Sequence, residues 1–240
     1  MRQSNKKRKS RRRINNRGTI IILIVILLIL LAVLWKVFDS KKEEKVKKEE
    51  KQEEITFPYS LENGKIEVSS LFQYSGMNPD CNDESEEDIA SLEVVNRSEE
   101  YLENADFTVK LEDGTKIRFT ISDVPAGKTV WAYAKDNTCY DTSVACTSIS
   151  CKANFGNEIS LMEDKLEIEV KDTEVTLTNI SEEDLANLNV SCHCLFEEVY
   201  FGGLTYTYPI EKIPAGESVT LQAEECYLGE AEVVRINQDN

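Results

Sequence analysis

The sequence predicts a mainly β protein, in which an N-terminal single transmembrane helix and a charged helical stalk precede two tandem β-sandwich repeats. Three observations support this prediction. A basic tail leads into an apolar run, short β-type segments fill the rest of the chain, and one series of motifs occurs twice. In chain order, the predicted segments are a basic cytoplasmic tail at 1–17, a transmembrane signal anchor at 18–38, a Lys/Glu-rich stalk at 39–55, and β-sandwich repeats at 56–155 and 158–240.

The apolar run at 18–35 is built mostly of Ile, Leu and Val, and Val37 and Phe38 extend it past Lys36. A helix needs roughly 20 apolar residues to cross a hydrocarbon core of about 30 Å. A soluble helix of this length would show a polar face, and this run has none. The run therefore predicts a membrane-spanning helix, with Trp35 at the outer interface.

Basic residues set the predicted orientation. Residues 1–35 hold nine Lys/Arg and no acidic residue, so the N-terminus is expected inside and the C-terminal part outside a cell membrane. A cleavable signal would have a shorter apolar core followed by a small-x-small site, which the chain lacks after Leu31. We therefore expect an uncleaved, single-pass signal anchor.

The charge changes sign along the chain. Residues 36–54 hold seven lysines and seven acidic residues, and Glu43/Lys47 and Glu44/Lys48 pairs favour a solvated helical stalk. Residues 55–240 hold 12 basic and 37 acidic residues, a net charge of −25. Such an acidic part makes nucleic acid a poor partner, so none is expected.

Five segments are rich in β-branched and aromatic residues and are bounded by turn residues, as is typical of strands. They lie at 65–72, 91–96, 105–111, 116–121 and 129–133. Asp113-Gly114 supplies the positive φ values of a tight turn and so predicts a hairpin between the third and fourth segments. The acidic segment 80–88 is interpreted as a solvated loop, with calcium binding as the alternative.

An internal repeat is the strongest organisational signal. Three blocks match in the same order: 96–104 with 179–187, 124–130 with 213–219, and Cys139-Tyr140 with Cys226-Tyr227. The offset grows from 83 to 89 residues, and the six extra residues fit a longer hairpin around 197–204. Asn96 and Asn179 each begin an Asn-x-Ser motif, which we interpret as a turn at a strand end rather than a glycosylation site. Each copy is near the size of a small β-sandwich.

The order of these motifs carries a resemblance. Strand, Asn-x-Ser, strand, Asp-Gly, strand, Pro-Ala-Gly and strand follow one another at 92–133 and, without Asp-Gly, at 175–222. This series resembles the FxLYD-type and related immunoglobulin-like β-sandwich modules of membrane-anchored or secreted Gram-positive proteins. The resemblance implies an uncharacterised extracytoplasmic module and brings no catalytic residues.

Cysteines are the main candidates for covalent chemistry. The seven disulfide candidates all lie beyond the apolar run: Cys81, Cys139, Cys146, Cys151, Cys192, Cys194 and Cys226. An oxidising exterior favours disulfides, and an odd count leaves one thiol over. Cys192 and Cys194 share a strand face, so one of them is expected to bond Cys226. Cys139 has the matching place in the first copy, with Cys81, Cys146 or Cys151 as its partner.

A metal site is the alternative to a disulfide for the cysteines of the second copy. Cys192, His193, Cys194 and Cys226 offer three thiolates and an imidazole, but in a strand His193 points away from its neighbours. No metal or cofactor is therefore expected. His193 is the chain's single histidine, which argues against Ser-His-Asp hydrolysis.

The sequence thus predicts a non-enzymatic, membrane-anchored extracytoplasmic protein. Its tandem modules are expected either to bind a partner, namely another envelope protein, or to act as spacers. One alternative is a cysteine-based redox or metal-handling membrane protein. Another is a bitopic subunit of an envelope assembly.

Overall fold

The computed structural model describes residues 35–36, 54–78, 80, 84–156 and 159–239. Glu53–Asn240 form one compact unit, and the description below concerns this unit. Within the described ranges, no helix has the length and apolarity that crossing a membrane requires. The predicted tail, the transmembrane anchor and most of the stalk lie outside the described residues, apart from the helical pair Trp35 and Lys36, and they stay predictions.

The described part of the chain is mainly β, as predicted. Its first half contains β1 (Tyr59–Leu61), β2 (Ile66–Asn78), β3 (Glu84–Asn96), β4 (Tyr101–Leu111), β5 (Lys116–Val124), β6 (Thr129–Tyr133) and β7 (Cys146–Gly156). Its second half contains β8 (Leu166–Lys171), β9 (Glu174–Asn179), β10 (Leu185–Phe196), β11 (Val199–Phe201), β12 (Tyr206–Ile213), β13 (Ser218–Gln222) and β14 (Glu230–Gln238). Short 3-10 helices lie at Glu62–Gly64 and Glu224–Cys226.

The five predicted strands are confirmed as β2 to β6, and the predicted hairpin joins β4 to β5, where Gly114 has φ +90°. The prediction of an acidic loop at 80–88 was wrong for its second half. Residues 84–88 belong to β3, because their backbone pairs with the end of β2, for example Glu86 with Gly76. Backbone hydrogen bonds to β2 hold this segment in an extended conformation. Exposed positions such as Ser85 and Glu87 face water, so an acidic side chain is tolerated there.

The strands form three sheets. One eight-stranded sheet, called the shared sheet below, has the order β1-β2-β3-β6-β11-β10-β12, with β14 also paired to β10. Two three-stranded sheets have the orders β5-β4-β7 and β13-β9-β8. The order β2-β3-β6 recurs as β8-β9-β13, and β5-β4-β7 recurs as β12-β10-β14. Strands at matching places in the two motif series therefore pair in the same way.

Each half has its own hydrophobic core. In β5, residues Ile117, Phe119 and Ile121 alternate with exposed or half-buried neighbours and face the first core. In β10, Cys192 and Cys194 belong to the second core, whereas Leu195 packs against the first. Because successive side chains of a strand point to opposite faces, the two three-stranded sheets cover opposite faces of the shared sheet.

The repeated Asn-x-Ser motif closes the same turn twice. The Asn96 amide donates to the carbonyl oxygens of Glu100 and Val124, both at 2.9 Å. The Asn179 amide donates to those of Glu183 (2.8 Å) and Ile213 (2.9 Å). In each copy the amide oxygen also accepts the N–H and O–H of the serine two positions on. These hydrogen bonds confirm the turn interpretation. Both asparagines are fully buried, which argues against the alternative of glycosylation.

Candidate functional site at the junction of the two repeats

The junction is built around β11, which lies in the extra segment of the second copy. Its residue Tyr200 pairs antiparallel with Leu195 of β10 and in parallel with Val130 of β6. Beyond β11, Gly203 accepts a hydrogen bond from the backbone N–H of Ser122 at 2.9 Å. A Cβ on Gly203 would lie 2.3 Å from the carbonyl oxygen of Thr120, so this close approach needs glycine. The extra segment therefore joins the two halves into one sheet.

A buried histidine seals the centre of the junction. The His193 ring stacks on the Tyr200 ring with centroids 4.2 Å apart and an interplanar angle of 8°. His193 Nε2 lies 2.7 Å from the Ser122 carbonyl oxygen, and because a carbonyl oxygen only accepts, Nε2 carries the ring proton. Burial lowers the pKa of His193 to about 4, so the ring is neutral near pH 7.

A charged pair adjoins this stack. Lys128 of the first half and Glu232 of the second lie 2.7 Å apart. The Tyr200 hydroxyl donates to the same carboxylate at 2.9 Å, and the Lys128 ammonium lies 5.2 Å from the Tyr200 ring centroid. One tyrosine thus contacts a cation through its ring and an anion through its hydroxyl.

A second pair is more deeply buried. The Asp123 carboxylate, only 2% exposed, lies 3.1 Å from the Arg235 guanidinium of β14. The hydroxyl of Thr205 donates to the same carboxylate at 2.8 Å. These contacts fix the two halves relative to each other, because a buried carboxylate that lost its cation would be strongly destabilising.

A cavity of about 130 Å³ lies at one side of the junction. Its polar and apolar lining includes Asn78, Asp80, Thr120, Tyr133, Lys135 and Leu204. The Asp80 carboxylate accepts the backbone N–H groups of Gly203 (2.7 Å) and Leu204 (3.3 Å) and the Tyr206 hydroxyl (3.4 Å). Burial raises the pKa of Asp80 to about 6, and the three donors oppose that rise only in part. Asp80 therefore faces inward, which the solvated-loop interpretation did not predict.

Tyr133 contributes an unpaired polar group to the same cavity. Its side chain is 3% exposed, and its hydroxyl lies beside the Tyr74 hydroxyl without making a well-formed hydrogen bond within the described residues. Its ring lies 4.7 Å from that of Tyr74 and 5.5 Å from that of Phe201 between centroids. The Tyr74 hydroxyl donates elsewhere, to the Met77 carbonyl oxygen at 2.8 Å. The cavity thus combines an aromatic wall with a carboxylate and a hydroxyl.

An exposed apolar patch adjoins the junction on the second half. Phe196, Tyr227 and Leu228 are each about two-fifths exposed, at 39%, 41% and 39%. Gly229 brings the last two residues against β10, since a Cβ there would lie 2.1 Å from the Leu195 carbonyl oxygen. Apolar side chains that lie together at a surface are typical of an interaction site.

One predicted disulfide is present. Cys194 and Cys226, 32 residues apart in sequence, are bonded inside the second core. Cys192 is a buried free thiol in that core, and burial raises its pKa to about 12. Of the other candidates, Cys146 is buried and Cys151 is half-buried, both as free thiols, so the predicted alternatives that pair Cys139 with either of them are wrong; Cys139 itself is exposed. Cys81 lies outside the described residues, so its pairing with Cys139 stays a prediction.

The structure does not gather the four candidate metal ligands. His193 points to the first half and contacts Ser122, whereas Cys194 and Cys226 are bonded to each other in the second core. In the described ranges, no three His, Cys, Asp or Glu side chains are placed to share a metal ion.

Sequence reasoning missed most of the junction residues. The burial of Asp123 could have been predicted from the sequence, because it continues the alternation of the inward-facing residues Ile117, Phe119 and Ile121. The contact between Lys128 and Glu232 could not have been predicted in this way, since 104 residues separate them in sequence. No protein-family model matches the chain, and no curated protein is significantly similar to it in sequence.

Proposed function

We propose that this chain is a non-enzymatic, membrane-anchored extracytoplasmic protein whose two immunoglobulin-like β-sandwich repeats act as one binding module. The repeats are taken as 56–155 and 158–240, the anchor as 18–38 with the N-terminus inside, and the partner as another envelope component. The basic tail and the uncharged apolar run support the anchor.

The observation that carries the proposal is the shared sheet. A pair of modules on a flexible linker would present two independent surfaces, whereas β11 pairs with strands of both halves. Buried contacts such as Asp123 with Arg235 add to this coupling. A rigid junction with a cavity and an exposed apolar patch is suited to recognition, because its groups are pre-organised and lose little entropy on binding.

Two features favour binding over catalysis. The histidine, the usual general base at neutral pH, is sealed between Tyr200 and Ser122, where a substrate has no access. The cysteine thiols of the second core are either bonded or buried with a raised pKa, which disfavours the reactive thiolate.

The anchor and the binding role are tested separately. A reporter enzyme that is active only outside the cell, fused after residue 240, should be active, and fused before residue 1 it should be inactive. If only the N-terminal fusion were active, the orientation of the chain would be opposite to the one proposed. Deleting residues 18–38 should release the chain from membranes.

For the binding role, a photo-crosslinking residue replaces Leu228 in the full chain in cells, and the matched control replaces Ile180, which is exposed on its own. A defined envelope component should crosslink at position 228 and not at 180. Equal labelling at both positions, or none at either, would contradict a binding site at the junction.

A further inference from the structure

The junction cavity contains a negative charge without a positive partner. The contacts of the Asp80 carboxylate are the N–H groups of Gly203 and Leu204 and the hydroxyl of Tyr206. Throughout the described ranges, no Lys, Arg or His nitrogen forms an ion pair with it. Lys135 also lines the cavity, but its ammonium lies 3.3 Å from the Asp106 carboxylate. Carboxylates withdrawn from water are normally paired with a cation, so the half-buried Asp80 lacks its usual complement.

A second, independent group faces the same space. Tyr133 lines the cavity and is almost fully buried, and its hydroxyl lies beside the Tyr74 hydroxyl without making a well-formed hydrogen bond within the described residues. Leaving a buried polar group unpaired is costly, and such groups in native structures point to an unseen water, ion or ligand. The side-chain oxygen of Asn78 holds Asp80 in place by accepting its backbone N–H at 3.1 Å.

The size of the cavity limits the ligand. Its volume of about 130 Å³ is close to the ~150 Å³ of an engineered cavity that accommodates benzene. A molecule of about six non-hydrogen atoms therefore fits. A primary ammonium has three N–H donors and no acceptor, which suits a carboxylate and a hydroxyl oxygen.

We propose that the junction cavity binds a small organic molecule through its primary ammonium group, with the Asp80 carboxylate as counter-ion and the Tyr133 hydroxyl as second acceptor. The site adds a small-molecule ligand to the proposed binding module and is independent of the membrane anchor and of the exposed patch. Two sources share this chemistry, a simple alkylamine and a small zwitterionic amino acid. In the second case the ligand's carboxylate would lie on the Lys135 side of the cavity.

The lining disfavours other ligands. Calcium takes six to eight oxygen ligands, whereas Asp80 supplies the one carboxylate among the described lining residues. An anion without an ammonium group would meet the Asp80 carboxylate directly. An uncharged molecule would leave that charge unpaired.

The test is calorimetric titration of the purified full chain in detergent at pH 8 with propylamine, alanine and propionate as probes. The two ammonium probes should bind with a dissociation constant of about 1 mM, a reasonable value for so few atoms, and propionate should not bind. Asp80→Asn should weaken binding at least tenfold, because a charge-assisted hydrogen bond is lost. The matched control, Asp136→Asn, removes an exposed carboxylate beside the same region and should leave binding unchanged.

Tyr133→Phe separates a ligand contact from a structural role. It should weaken binding several-fold while leaving the melting temperature unchanged or higher, because it removes an unpaired buried hydroxyl. Alanine binding more tightly than propylamine, with Lys135→Met abolishing the difference, would identify a zwitterion; equal binding would identify an amine. The proposal is overturned if neither ammonium probe binds at a concentration 50-fold above the expected dissociation constant. It is also overturned if the Asp80→Asn variant binds as well as the native chain, or if propionate binds as well as propylamine.

Discussion

The carboxylate of Asp123 lies 3.1 Å from the guanidinium of Arg235, and the two residues come from different halves of the chain. Asp123 is almost fully buried at the end of β5, and Arg235 reaches it from β14. A pair like this contributes little net stability beside an apolar contact, but losing one partner is expensive. Its structural consequence is specificity, because only one arrangement of the two halves pairs both charges.

Arg235→Ala should therefore lower the free energy of unfolding by about 3 kcal/mol, since it leaves Asp123 buried and unpaired. Adding Asp123→Asn to this variant should recover much of the loss. The measurement is urea unfolding of the single and double variants. The control is Arg118→Ala, whose partner Asp136 is 61% exposed and which should cost less than about 1 kcal/mol. A cost for Arg235→Ala no larger than that of the control would show that the pair does not couple the halves.

The fully buried His193 and the half-buried Asp80 should give opposite pH dependences of stability. Burial lowers the pKa of His193 from 6.5 to about 4, so only the unfolded chain takes up this proton between those values and stability falls as the pH falls. Burial raises the pKa of Asp80 from 3.8 to about 6, so the folded protein takes up this proton first and stability rises as the pH falls. In the native chain the two effects largely offset each other.

Single variants should separate these effects. Between pH 7 and pH 4.5, Asp80→Asn should lose about 2 kcal/mol of unfolding free energy relative to the native chain, and His193→Gln should gain about as much relative to it. Taking differences from the native chain removes the contribution of the exposed carboxylates, which is common to all three proteins. Parallel pH curves for all three would show that neither group is perturbed by burial.

Strand positions could be predicted from the sequence because alternation and turn residues are local signals. Thr129–Tyr133 was found with its exact bounds, since Pro-Ala-Gly marks its start. The first half of β3 was not found, because acidic residues such as Glu87 and Asp88 face water there and backbone pairing with β2 keeps the segment extended. The tandem motifs predicted a repeated series of strands for the same local reason, and the matching strand orders are consistent with it.

The junction was beyond such reasoning. The sequence places a longer hairpin around 197–204, but nothing local indicates that Tyr200 pairs with Val130 of the other half. The cavity depends on Asp80 and Tyr133, which are far apart in sequence and meet only when the shared sheet forms. Contacts between distant strands are set by tertiary packing, which propensity does not encode.

The Cys194–Cys226 bond should stabilise the second core. Closing a loop of 32 residues contributes about 3–4 kcal/mol on the chain-entropy model. Reduction, or Cys226→Ala, should lower the unfolding free energy by that order, as measured by urea unfolding with and without reductant. Thr142→Ala, at an exposed turn position of the first half, is the control and should change stability by less than about 0.5 kcal/mol. A non-reduced peptide map that joins Cys192, rather than Cys194, to Cys226 would contradict the assignment.

The repeated asparagines provide a test of how the two halves unfold. Asn96 and Asn179 make equivalent hydrogen bonds in the first and second halves, and both side chains are fully buried. Asn96→Ala and Asn179→Ala should each cost about 3 kcal/mol, because each leaves several buried backbone groups unpaired. Asn104→Ala, which removes an exposed side-chain contact with Asn154, is the control and should cost less than about 0.5 kcal/mol.

If β11 and the Asp123–Arg235 pair couple the halves, each asparagine variant should shift one cooperative transition that is seen equally by Trp131 fluorescence in the first half and by exposure of the buried Cys192 thiol in the second. Two separate transitions, with each variant moving only its own, would show that the halves unfold independently. That result would remove the basis for treating the junction as a single rigid binding module.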